Sequence, residues 1–93
     1  MDSPKKIALL GSTGSIGTQA LEVISEHPDK FQVEVLTAHS NHVLLLEQAR
    51  KYKPNAVVIV NDTHYKTLSD ELWSLGIKTY SGEEALAQVV EMD

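Results

Sequence analysis

Four strand-like apolar runs alternating with four amphipathic segments predict an α/β protein built as a doubly wound parallel sheet, in the order βαβαβαβα. Two local features support that class. The glycine-rich turn Gly11-Ser-Thr-Gly14-Ser-Ile-Gly17 joins the first apolar run directly to the first helical pattern, and Ala56-Val-Val-Ile-Val60 has the composition of a strand buried on both faces.

The first strand covers about Lys6 to Leu10, and its helix runs from about Ser15 to Glu26 with Ile16, Ala20, Val23 and Ile24 on one face. His27-Pro28-Asp29 ends that helix, because the residue before a proline avoids the helical region. In the second strand, about Gln32 to Thr37, Val33 and Val35 alternate with Gln32 and Glu34, a half-exposed pattern. Asn41 is placed to cap a second helix reaching about Tyr52, with Leu45, Leu46, Ala49 and Tyr52 inward and Lys53-Pro54-Asn55 closing it.

After the Ala56–Val60 strand, Asp62 or Thr63 is expected to cap a third helix carrying Tyr65, Leu68, Leu72 and Leu75, with Gly76 as its left-handed C-terminal residue. Trp73 lies off that stripe. Ile77 to Tyr80 forms a short strand, and Ser81-Gly-Glu-Glu84 has the capping-box pattern ahead of a last helix with Ala85, Leu86, Val89 and Val90 inward. Repeated βα units require parallel strands, right-handed crossovers and helices on both faces, so the architecture is Rossmann-like.

Composition removes several classes of function. With 42% hydrophobic and 23% charged residues the chain has the balance of a packed domain, and a net charge of −5 with scattered lysines and arginines argues against a nucleic-acid partner. There is no cysteine, which excludes disulfides, thiolate metal sites and a thiol nucleophile. The apolar runs are too short to cross a bilayer and no secretory signal is visible, so a cytoplasmic protein is expected.

The glycine turn carries the chemistry. A strand ending in such a turn aims the free N–H groups and positive end of the next helix at one point, where a dinucleotide pyrophosphate binds. Gly11 serves the sharp turn, Gly14 the close approach of phosphate to backbone, and Gly17 the packing of helix on strand. It is not a Walker loop, since Thr18-Gln19 follow Gly17, and Ser12 and Ser15 lack the glycine spacing of a nucleophile elbow.

By the switch-point rule, the loop after the second strand, Ala38 to Asn41, shares the crevice. The tip Thr37-Ala38-His39-Ser40-Asn41-His42 holds no acid to accept from ribose hydroxyls, which favours NADP over NAD, although it also lacks the arginine or lysine that makes the strongest phosphate contacts. His39 and His42 either add partial positive charge or are plain surface residues, and as a metal pair they lack a third ligand. His27 and His64 read as surface residues at helix termini, and Glu83-Glu84 as helix-dipole partners.

The residues Leu9-Leu-Gly-Ser-Thr-Gly-Ser-Ile-Gly-Thr18, then His27-Pro28 and Phe31, then Leu36-Thr-Ala and Asn41 resemble the start of the 1-deoxy-D-xylulose 5-phosphate reductoisomerase family, over nearly the whole chain. The resemblance implies an NADPH-dependent, metal-dependent (Mg or Mn) enzyme of the non-mevalonate isoprenoid pathway, homodimeric, forming 2-C-methyl-D-erythritol 4-phosphate. Thr13, Gly14, Ser15 and Ile16 match its NADPH-contacting positions, as do His39, Ser40 and Asn41, so the cofactor-binding set is Gly11, Thr13, Gly14, Ser15, Ile16, Gly17, His39, Ser40 and Asn41. Where the family has glycine and then lysine or arginine ahead of the asparagine, this chain has His39 and Ser40.

Family members are several times longer, and their metal-binding acids, Lys-Glu-Ser segment, substrate-phosphate site and lid lie downstream. Residues 1–93 are therefore expected to be the N-terminal part of an NADPH-binding domain, without catalytic or metal-ligating residues and inactive alone. Two other functions fit the bare motif: another NADP-dependent oxidoreductase, such as a semialdehyde dehydrogenase or sugar-nucleotide epimerase, and a non-catalytic nucleotide-sensing module.

Overall fold

In the computed structural model, which describes residues 4–91, strands β1 (Lys5–Leu9), β2 (Phe31–Ala38), β3 (Ala56–Ile59) and β4 (Lys78–Ser81) alternate with four helices. These are α1 (Ser15–Ser25), α2 (His42–Tyr52), α3 (Tyr65–Trp73) and α4 (Glu83–Glu91), with a short 3-10 turn at Asp62–His64 leading into α3. All pairings are parallel and the sheet order is β1-β2-β3-β4.

Right-handed crossovers that step across a sheet in one direction leave their helices on one face. Accordingly α1, α2 and α3 share a core with the sheet in which Leu21, Ile24, Leu45, Ala49, Leu68 and Leu72 meet Leu36, Ala38, Val57 and Ile59. On the other face, Val35 and Val58 pack with Val89 of α4, flanked by Ala56, Ala85 and Leu86. The doubly wound arrangement expected from the sequence is present.

Several local expectations change. Ile7 pairs with Val33 but Ala8 pairs with Val35, so Glu34 is an extra residue in β2, and this bulge reverses the alternation. Val33 therefore joins the three-helix core while Val35 faces α4, although both were expected on one side. Glu34 is fastened there by Asn55, whose N–H donates to Glu34 O (2.9 Å) and whose Nδ2 donates to Glu34 Oε1 (2.7 Å).

In α1 the buried stripe is Gly17, Leu21 and Ile24, whereas Ile16 is 83% and Val23 55% exposed, contrary to their expected inward placement. The missing Cβ of Gly17 lets that side of the helix close on the loop backbone of Gly11 and Ser12. Neither Asp62 nor Thr63 caps the third helix: Asn61 caps the 3-10 turn, its Oδ1 accepting from the N–H (3.0 Å) and the hydroxyl (2.6 Å) of Thr63, and α3 starts only at Tyr65, behind His64, which makes no side-chain cap bond.

Helix α3 ends as expected near Gly76, which has φ 73°. Ile77 N–H donates to Leu72 O (3.1 Å) and Gly76 N–H to Trp73 O (3.0 Å), the paired bonds of a Schellman motif, with Ile77 and Leu72 both buried. Leu75 falls inside that turn and is exposed, off the expected stripe, and Trp73 is exposed as well. Ser81 belongs to β4, paired with Ile59, so the expected capping box gives way to Gly82 as the residue before α4. The side chain of Val90 lies outside the described residues.

Candidate functional site

Beyond β1 the chain turns at Gly11, whose φ of 69° belongs to the left-handed region that side chains disfavour. Gly11 N–H donates to Thr37 Oγ1 (2.9 Å), Ser12 N–H to Thr37 O (2.8 Å), and Gly14 N–H back to Gly11 O (3.1 Å). The loop is thereby curled against the carboxyl end of β2. At Gly17 an added Cβ would overlap Gly11 O and lie 2.8 Å from Ser12 Cα, so α1 meets the loop backbone to backbone.

Gly14 is the residue before α1, with extended backbone at φ −76° and ψ 169°, and no side chain caps the helix or places an acid in its first turn. Thr18 N–H makes the first intrahelical bond, to Gly14 O at 2.9 Å, which leaves the N–H groups of Ser15, Ile16 and Gly17 without a partner inside the helix. Around them Gly14, Ser15 and Ile16 are exposed and Thr13 is half-buried. Convergent donors, the positive end of a helix dipole and the bare Cα of Gly14 fit the doubly charged pyrophosphate of a dinucleotide.

The second loop, His39, Ser40 and Asn41, is fully exposed at the end of β2. Asn61 N–H donates to His39 O (2.7 Å), prolonging the β2–β3 ladder, and His42 N–H donates to Ser40 O (2.8 Å). Asn41 Oδ1 accepts from Leu44 N–H (3.2 Å), the expected cap on α2. Because β1 pairs with β2 and Thr37 grips Gly11 and Ser12, the two loops stand side by side, as the sequence predicts.

His42 is not a plain surface residue: its ring is half-buried and stacked on that of His64, with centroids 3.7 Å apart and planes 18° from parallel. Among the described residues no three His, Asp or Glu side chains converge to hold a metal ion. No described helix is long and apolar enough to cross a membrane.

Two residues at the site were missed by sequence reasoning. Ser12 is wholly buried and bonded to Gln48 of α2, itself only 6% exposed. The signal was available, since Gln48 is a polar residue on the inward stripe Leu45, Ala49, Tyr52. A cavity of about 500 Å³ lies elsewhere, beneath α4 toward the amino ends of β3 and β4, lined by Glu34, Asn55, Lys78 and Gln88 among others. It shares no residue with either loop.

Residues 7–93 match the family model for 1-deoxy-D-xylulose 5-phosphate reductoisomerase. The reductoisomerase of Phocaeicola vulgatus is 58% identical over 87 residues, which is 94% of this chain and 23% of that protein. That of Bacteroides thetaiotaomicron is 53% identical over 98% of this chain and 25% of its own length. Among solved structures, the Zymomonas mobilis reductoisomerase in complex with NADPH superposes with a TM-score of 0.91 at 32% identity, covering 99% of this chain and 24% of that one. A reductoisomerase in complex with NADPH, fosmidomycin and magnesium gives 0.84 at 31% identity, over 91% of this chain and 21% of the other. The chain thus spans about a quarter of the length of the relatives it matches, and over that span it belongs to the 1-deoxy-D-xylulose 5-phosphate reductoisomerase family.

Proposed function

We propose that this chain is the N-terminal part of the NADPH-binding domain of a reductoisomerase that isomerises 1-deoxy-D-xylulose 5-phosphate and reduces the product with NADPH to 2-C-methyl-D-erythritol 4-phosphate, in non-mevalonate isoprenoid biosynthesis. The N–H groups of Ser15, Ile16 and Gly17, with the hydroxyls of Thr13 and Ser15, hold the pyrophosphate across Gly11 and Gly14. His39, Ser40 and the free amide of Asn41 take the adenosine ribose and its 2′-phosphate. The observation that carries this reading is the uncapped start of α1 behind the glycine turn, in a fold that superposes at 0.91 on a reductoisomerase holding NADPH.

The chemistry of these residues is binding and orientation. NADPH supplies the hydride. The residues that bind substrate and a divalent cation, magnesium or manganese, belong to the remainder of a longer, homodimeric cytoplasmic enzyme, and residues 1–93 have no turnover alone. Titration calorimetry on the chain with NADPH and with NADH tests the assignment, NADPH being expected to bind more tightly. No binding of NADPH refutes the reading, equal affinities remove the 2′-phosphate assignment, and NADPH consumption on adding 1-deoxy-D-xylulose 5-phosphate would overturn the claim of inactivity.

A further inference from the structure

Behind the glycine turn, Ser12 is tied to the interior by a buried side chain of α2, that of Gln48. Ser12 is wholly buried in a loop whose Gly11, Gly14, Ser15 and Ile16 are exposed. Its hydroxyl donates to Gln48 Oε1 (2.7 Å), Gln48 Nε2 donates to Ser12 O (2.8 Å), and its own N–H donates to Thr37 O (2.8 Å). Each polar group of Ser12 is therefore satisfied, and both ends of the Gln48 carboxamide are spent on that one residue, 36 positions away in sequence.

An amide in an apolar core costs stability unless its hydrogen bonds are made, and a leucine between Leu45 and Ala49 would bury more apolar surface without that penalty. The amide is explained by geometry, not by stability. On the opposite side, Gly17 of α1 leaves no room for a Cβ against Ser12 Cα, so Ser12 is clamped between α1 and α2. Helix α2 also begins at Asn41, in the second loop, and seven residues of helix, about 10 Å, separate that cap from Gln48.

We propose that Gln48 is a positioning residue that couples the two cofactor loops, its carboxamide fixing the pyrophosphate turn in register with the 2′-phosphate loop at the other end of the same rigid helix. The inference rests on the NADPH reading above and adds that pyrophosphate affinity depends on a side chain outside the binding surface.

The test is Gln48→Met, which keeps shape and removes both bonds, measured by calorimetry with NADPH and by amide chemical-shift titration with adenosine 2′-monophosphate, a probe for the second loop alone. NADPH affinity is expected to fall about tenfold, equivalent to ~1.4 kcal/mol, while the affinity for adenosine 2′-monophosphate stays within about twofold, an order-of-magnitude margin for an interaction left intact. A purely structural role would weaken both ligands alike, in proportion to the folded fraction lost, and that result would overturn the proposal, as would unchanged NADPH binding. Should Gln48→Met not fold, Ser12→Ala removes the hydroxyl bond while leaving Gln48 Nε2 on Ser12 O, and the same split between ligands is expected, with an equal loss for both again refuting the coupling. A wild-type chain that binds neither probe defeats the NADPH reading itself, and the proposal with it.

Discussion

Gly14 and Gly17 stand three residues apart in one motif, yet adding a single methyl group to each should break different things. At Gly17 the new Cβ would overlap Gly11 O and sit 2.8 Å from Ser12 Cα, where ordinary contact begins near 3.4 Å. The obstructing atoms are backbone, so no rotamer change relieves them. Overpacking of this kind costs ~1–3 kcal/mol, the helix-forming advantage of alanine over glycine returns up to ~1 kcal/mol, and each net kcal/mol lowers the melting temperature of a domain this size by ~4–8 °C. At a net loss of ~1–2 kcal/mol, Gly17→Ala should therefore melt roughly 5–15 °C below the parent and lose NADPH binding as the loop is pushed away.

At Gly14 the added Cβ meets only Gly11 O, at 3.5 Å, and the backbone angles suit any residue. The fold should stay within about 1 kcal/mol of the parent, the usual scale of a changed N-cap. The methyl group instead fills the space through which phosphate reaches the helix N–H groups. Losing charge-assisted hydrogen bonds worth ~1.5–3 kcal/mol predicts NADPH binding weakened roughly 10- to 150-fold. Far-UV circular dichroism melts and calorimetry on both variants separate the two effects. A Gly14→Ala protein that binds NADPH like the parent, or one that melts as low as Gly17→Ala, would refute the division of labour.

Further outcomes follow from the same geometry. His39→Asp places a carboxylate at the exposed end of β2, where it accepts from ribose hydroxyls and repels a 2′-phosphate; the ratio of NADPH to NADH affinity should fall tenfold or more, ~1.4 kcal/mol, by calorimetry. Neither loop contains a lysine or arginine, so NADPH affinity should respond weakly to added salt, and a steep slope would point to a cationic side chain as the main phosphate ligand. Lys53 closes α2 in the left-handed region at φ 51°, so Lys53→Gly should raise the unfolding free energy by about 1 kcal/mol in urea titrations. Leu45→Ala, at a wholly buried position between sheet and α2, should lower it by ~2–5 kcal/mol.

Much of the molecule is readable from local pattern, because its punctuation is local. Asn41 caps α2 and Gly76 ends α3 through contacts within a few residues, and the order of strands and helices follows from periodicity alone. What was misread depends on a partner element. The Glu34 bulge exists only in register with β1, so no inspection of Gln32 to Thr37 distinguishes one face from two for Val33 and Val35. In α1 the apolar count favoured Ile16 and Val23, whereas the inward side includes the residue with no side chain, Gly17, whose value comes from how closely the loop approaches. Ser81 carries a good capping signal that pairing with Ile59 overrides.

The same distinction bears on how a chain of net charge −5 could hold an anionic cofactor. Long-range attraction is unfavourable, so the binding proposed above requires contact distance, where unpartnered N–H groups and a helix dipole act against the overall charge. Contact-distance binding tolerates little displacement: hydrogen bonds fail within a fraction of an ångström, where a lysine on a flexible stem would follow its target. That requirement accounts for the unusual investment around the turn, with Thr37 gripping Gly11 and Ser12 from the sheet, Gly17 admitting α1 to van der Waals distance, and Gln48 reaching from α2. The seven-residue glycine motif carries the unpartnered N–H groups, and a residue as far away as position 48 is hydrogen-bonded to it.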